Sequence, residues 1–95
     1  MAALDLLGRR WTLRLLWELR DGPLGFRELQ ARCDGMSPSV LSQRLSELTA
    51  AGILGRDDRQ EYVLTIDGDA LLAALRPLTE WAARWASHLG PENRA

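Results

Sequence analysis

The sequence has no lysine and only one cysteine, one histidine, one phenylalanine and one tyrosine in 95 residues. A lone cysteine, Cys33, closes no internal disulfide. Together with one histidine, His88, it falls short of the three or four ligands a zinc site takes, so neither cross-link nor metal is expected to hold the fold. Long apolar runs are missing too. The most apolar stretch, Met1 to Trp17, is interrupted by Asp5, Arg9, Arg10 and Arg14 and is followed by no small-residue cleavage site. It reads as neither a membrane span nor a signal peptide, and a cytoplasmic location is the default. No charge is in excess: 12 basic residues against 13 acidic ones give a formal net charge of −1. A nucleic-acid binder is usually basic, so positive charge would have to be organised locally. Paired carboxylates, a nucleophile with its base and a glycine-rich phosphate loop are all absent at workable spacing. An enzyme is therefore the weakest reading, and no cofactor is expected.

What is present is an ordinary globular composition, 46% apolar and 26% charged, expected to make one domain over residues 1–95. Leu4 and Leu7 mark a short helix over Ala2 to Leu7, broken at Gly8. Trp11, Leu15, Leu16 and Leu19 form the apolar stripe of a core helix from near Arg10 to about Asp21, stopped by Gly22 and Pro23. Phe26, Leu29 and Cys33 mark a two-turn helix with Cys33 facing inward. After a turn at Asp34 to Met36, Ser37 followed by Pro38 is a helix start, since the serine hydroxyl caps free N–H groups and proline fits the first turn. That helix spans about 37–51, with Val40, Leu41, Leu45 and Leu48 apolar and Ser39, Ser42, Gln43 and Ser46 on the opposite side. Ile53 to Arg56 and Glu61 to Thr65 read as a tight antiparallel hairpin. A helix over about 67–89 follows, which Pro77 should kink or divide. The fold class expected is mainly α with a small β-hairpin: a winged helix-turn-helix with a wing at about 53–65.

The residues also resemble a known family. Ala3 to Leu13 (ALDLLGRRWTL), Glu18 to Leu29 (ELRDGPLGFREL), Gly35 to Leu48 (GMSPSVLSQRLSEL), Glu61 to Gly68 (EYVLTIDG) and Trp81 together are similar to the HxlR-type winged helix regulators. The resemblance implies a homodimeric bacterial transcription factor whose Ser37 helix enters the major groove of double-stranded DNA, flanked by the wing. It also implies dimerisation through the terminal helices, here Leu4, Leu7, Leu78, Trp81 and Trp85. Three departures from the family pattern stand out. The wing is several residues short and lacks a proline-containing tip. Gly25 stands where an arginine is common, with Arg27 two residues on. No cysteine precedes Cys33, so thiol switching of the kind found in relatives is not expected.

The DNA-contact candidates are Ser37, Pro38, Ser39, Ser42 and Gln43 in the first two turns of the helix. Gln43 is the best single base reader, because its amide can pair with adenine on two edges. Arg44 can reach a phosphate, or pair with Glu47 or Glu28, and the sequence leaves both open. Arg27, Arg56 and Arg59 are candidate phosphate contacts, although Asp57 and Asp58 offset the last two. Arg9, Arg10 and Arg14 read as the solvated side of a helix. Trp11 reads as plain core. Trp17, Trp81 and Trp85 fit a core or interface stripe, or else an aromatic cavity for a small-molecule effector. The leading function is a homodimeric regulator on a near-palindromic operator. The alternative is a winged-helix dimer that binds a protein or a small aromatic or apolar ligand with little DNA affinity.

Overall fold

The computed structural model describes residues 2–89; Met1 and residues 90–95, which the single-domain expectation includes, lie outside the described part. The element order is α1 (Ala2–Leu7), α2 (Thr12–Glu18), α3 (Phe26–Arg32), α4 (Pro38–Ala50), β1 (Leu54–Arg56), β2 (Tyr62–Leu64) and α5 (Ile66–His88). The fold is mainly helical with a two-stranded antiparallel hairpin, the class the sequence indicates.

The core is built from leucine. Leu15, Leu16, Leu29, Leu41, Leu45, Leu48 and Leu54 are all fully buried, joined by Cys33 and Met36. Full burial of each such side chain contributes about 1.5–3 kcal/mol, so the stripes on α2, α3 and α4 are what clamp the helices together. Ser37 precedes α4 in extended conformation, and its hydroxyl accepts from the Val40 N–H at 3.2 Å, with Pro38 in the first turn. The hairpin pairs Leu54 with Leu64, Gly55 with Val63 and Arg56 with Tyr62. Its tip is closed by Asp57, whose carboxylate accepts from the backbone N–H groups of Arg59 and Glu61. Thr65 caps α5: its hydroxyl accepts from Gly68 N–H at 3.1 Å and donates to the Gly52 carbonyl at 2.6 Å. Gly68 is buried in the first turn, against the Ile53 carbonyl.

Three expectations are corrected or narrowed. First, α2 is shorter than its apolar stripe, because Trp11 sits ahead of it in left-handed conformation (φ 78°) and Arg20 and Asp21 fall in a turn. Second, Trp11 is only half-buried, packing on the rim of the core with the Arg10 guanidinium 5.5 Å from its ring centre. Third, of the two outcomes the sequence allows at Pro77, a kink or a division, division does not occur, since α5 runs unbroken for 23 residues. The segment after Pro23 adds a feature the sequence reading did not address. Leu24 bridges Tyr62, exchanging backbone hydrogen bonds of 3.1 and 2.8 Å, so a third extended segment ties α3's entry to the wing.

Candidate nucleic-acid interface

The apolar positions of α4 (Leu41, Leu45, Leu48) face the core, and helical geometry therefore turns Ser39, Ser42, Gln43 and Ser46 outward; all four are exposed. Ser39 shares a 3.3 Å hydroxyl contact with Ser37. Among the described residues, the side chains of Ser42, Gln43 and Ser46 have no hydrogen-bond partner. The result is an uncharged face of free donors and acceptors on a 13-residue helix.

The arginines around this face fall into two groups. Arg27, exposed on α3, and Arg59, at the hairpin tip, have no carboxylate in ion-pair range among the described residues and no hydrogen bond from the guanidinium. Both are free cations. Arg56 and Arg44 are engaged instead. Cross-strand pairing sets Arg56 directly opposite Tyr62, and its guanidinium lies 4.3 Å from the Tyr62 ring centre while one of its N–H groups donates to the phenol oxygen. Arg56, Ser46 and Thr49 line one hollow of about 340 Å³ between α4 and the wing, which places the wing beside the polar side of the helix. The Arg44 side chain is only 13% exposed; it donates to the Arg10 carbonyl at 3.0 Å and pairs with Glu47 at 2.9 Å. Of the two carboxylates the sequence offers it, Glu47 is the one it meets.

Elsewhere arginines are neutralised locally. Arg14 and Arg32 both pair with Glu18, Arg9 with Glu47, and Arg20 with Asp21. A net charge near zero is thus compatible with free guanidiniums at Arg27 and Arg59, because the ion pairs among the described residues engage other arginines.

Trp17, 45% exposed, is stacked under the Arg20 guanidinium at 4.0 Å and lies between two shallow grooves against α5, of about 280 and 290 Å³. Leu72, Leu75 and Thr79 line both. Trp81 and Trp85 do not join them: one turn apart on α5, each 51% exposed, they stack on one another with ring centres 5.7 Å apart. The three tryptophans are therefore not gathered into one cavity within a single chain. Leu4 and Leu78 are exposed, whereas Leu7 is half-buried against the core. Cys33 is fully buried, and that burial pushes its thiol up from the usual value; Arg14 pulls the other way and Glu18 adds to the rise. Such a thiol is a poor nucleophile.

Sequence reasoning missed Leu24, Thr12 and the internal engagement of Arg56. The alternation Leu54, Arg56 was the available signal for the last, since it puts Arg56 on the same face of the strand as a core leucine.

The comparisons agree with this architecture. A family model described as HxlR-like helix-turn-helix matches residues 6–89. The uncharacterised HTH-type transcriptional regulator YvaP of Bacillus subtilis (strain 168) is 37% identical over 89 residues, covering 87% of this chain and 82% of its own. The HTH-type transcriptional regulator YodB of the same organism is 34% identical over 87 residues, 85% of this chain and 78% of its own. The crystal structure of quinone-bound YodB superposes with a TM-score of 0.81 at 35% identity, over 87% of this chain and 93% of that one. Among the described residues, no helix is long and apolar enough to cross a membrane. With the matched model spanning most of its length, the chain belongs to the HxlR-like helix-turn-helix family.

Proposed function

We propose that the chain is a cytoplasmic, homodimeric, sequence-specific DNA-binding regulator of transcription, with α4 as recognition helix. The observation that carries this reading is the α4 face of unpartnered, uncharged hydrogen-bonding groups, with the free guanidiniums of Arg27 and Arg59 on the neighbouring α3 and wing. Ser37, Pro38 and Ser39 present the helix start to a phosphate, Ser42 and Gln43 meet base edges, and Arg27 and Arg59 position the helix on the backbone. Arg56, bound to Tyr62, stiffens the wing beside the groove. The exposed Leu4, Leu78, Trp81 and Trp85 supply the apolar seam for a second copy. Two α4 helices then enter successive major grooves about 34 Å apart, and the operator is near-palindromic.

The test is selection from pooled duplex DNA at two salt concentrations. Recovery of an inverted repeat whose affinity falls steeply with salt supports the reading. Sequence-blind retention, or none, overturns it in favour of a winged-helix dimer that takes a protein or an apolar ligand. The grooves flanking Trp17 favour a small aromatic effector as a second component, since a relative of the same fold is crystallised with quinone. Quenching of tryptophan fluorescence by a quinone, lost in Trp17→Leu, would establish it.

A further inference from the structure

Three charged side chains and a backbone carbonyl meet where α4 passes the turn between α1 and α2. Arg44 donates through Nε to the Arg10 carbonyl at 3.0 Å and through Nη1 to Glu47 Oε1 at 2.9 Å. The other oxygen of Glu47 lies 3.5 Å from Arg9 Nε. Arg9 and Glu47 also line one hollow with Asp5, Leu6 and Ala50, so α1 and the end of α4 face one another across it. The Arg10 carbonyl belongs to the peptide that enters Trp11, whose φ of 78° is a strained value for a residue with a side chain. Relaxing Trp11 to an ordinary φ would swing that peptide plane and withdraw the carbonyl from Arg44.

We propose that Arg44 is a positioning residue, not a phosphate contact: it locks the left-handed Arg10–Trp11 turn to the recognition helix, so that α1 and the DNA-reading face move as one body. Two directional hydrogen bonds, one of them to a carboxylate shared with Arg9, hold the guanidinium at 13% exposure and commit it to the fold rather than to a phosphate. A displacement of α1 is thereby transmitted to α4 through the turn. This rests on the DNA-reading role of α4 proposed above.

The experiment uses the full chain and variants Arg44→Met, Arg44→Lys, Glu47→Gln and Arg27→Ala, in two readouts. In free protein, amide hydrogen exchange is followed by residue. Arg44→Met should speed exchange at residues 9–13 while leaving Leu41 to Leu48 protected. With the selected duplex, Arg44→Met should weaken binding about tenfold, in line with loss of a charge-assisted hydrogen bond, with an unchanged salt slope. Arg27→Ala should instead lower the slope by about 1. Arg44→Lys, whose ammonium lacks the fork that spans two acceptors, should not restore affinity. Unchanged exchange at the turn overturns the proposal, as does a slope lowered by about 1 in Arg44→Met with Arg44→Lys behaving as wild type. If the wild-type chain holds no duplex, the DNA reading fails while the exchange result still decides the tie. If Arg44→Met does not fold, Glu47→Gln and Arg44→Lys carry the same comparison.

Discussion

Thr12 is fully buried at the first turn of α2, and among the described residues its hydroxyl has no hydrogen-bond partner. A buried hydroxyl left unpaired is penalised by about 1–3 kcal/mol, and valine has almost the same shape. Thr12→Val should therefore raise stability by about 1 kcal/mol, read as a higher urea midpoint with unchanged m-value. Cys33 behaves in the opposite sense with pH. Burial raises its folded-state pKa above the usual 9.0, so the unfolded chain gives up the thiol proton first. Stability is fully present below the unfolded value and declines as pH rises from there toward the folded value. The urea midpoint should fall above about pH 9, and Cys33→Ala should flatten that alkaline decline even though its cavity lowers stability at all pH values. An unchanged alkaline limb in Cys33→Ala would show that the thiol is not its source. Gln43 is the residue on which base preference is expected to turn: Gln43→Ala should keep the melting curve while reducing discrimination at one base pair by about 1–3 kcal/mol, measured across a panel of duplexes.

At the scale of elements, the join between the wing and α5 is sterically tight. A Cβ at Gly68 would collide with the Ile53 carbonyl oxygen and lie 3.2 Å from a Leu64 methyl. Backbone cannot yield as a flexible side chain does, so Gly68→Ala should destabilise by on the order of 2 kcal/mol, measured by thermal or urea unfolding. The helices that carry the site were legible because each announces itself locally: Ser37 and Pro38 open α4, and leucines at helical spacing fix its inner face. The ends of α2 were not. The apolar stripe continues through Leu19, yet Trp11 leaves helical geometry to make the α1–α2 turn. At Pro77 the sequence left a kink or a division open, and the fold excludes the division. Proline breaks an isolated helix, but α5 carries it on an exposed side and runs on through it.

For the whole molecule, α5 is the decisive feature. Its 23 residues span about 34 Å at the usual rise, within a described body of 45 × 26 × 26 Å. Only its first turns, at Gly68, Leu71 and Leu75, reach the core; Leu78 and the Trp81–Trp85 stack lie outside it. Two half-exposed stacked indoles on a projecting helix form an apolar patch of the kind that marks an interface. Trp85→Arg should leave the monomer fold intact by circular dichroism and shift sedimentation from dimer toward monomer, with operator affinity lost in parallel. A Trp85→Arg variant that still sediments as wild type would exclude this face as the seam.

What the sequence determined by itself was the order of elements, the inner faces of α2, α3 and α4, the hairpin and the exposed polar side of α4, because periodicity and caps are local properties of neighbouring residues. The family resemblance added the roles implied for the Ser37 helix and the terminal helices. Only the tertiary structure decided which arginines are free. In sequence Arg44 is open to a phosphate or a carboxylate and Arg56 is a candidate phosphate contact, as are Arg27 and Arg59. The first two lie where packing brings a carbonyl, a carboxylate or a tyrosine ring within reach; the last two do not. A long flexible side chain is partnered by whatever the fold places beside it, and the Arg10 carbonyl that holds Arg44 lies 34 residues away in sequence, beyond the reach of local patterns.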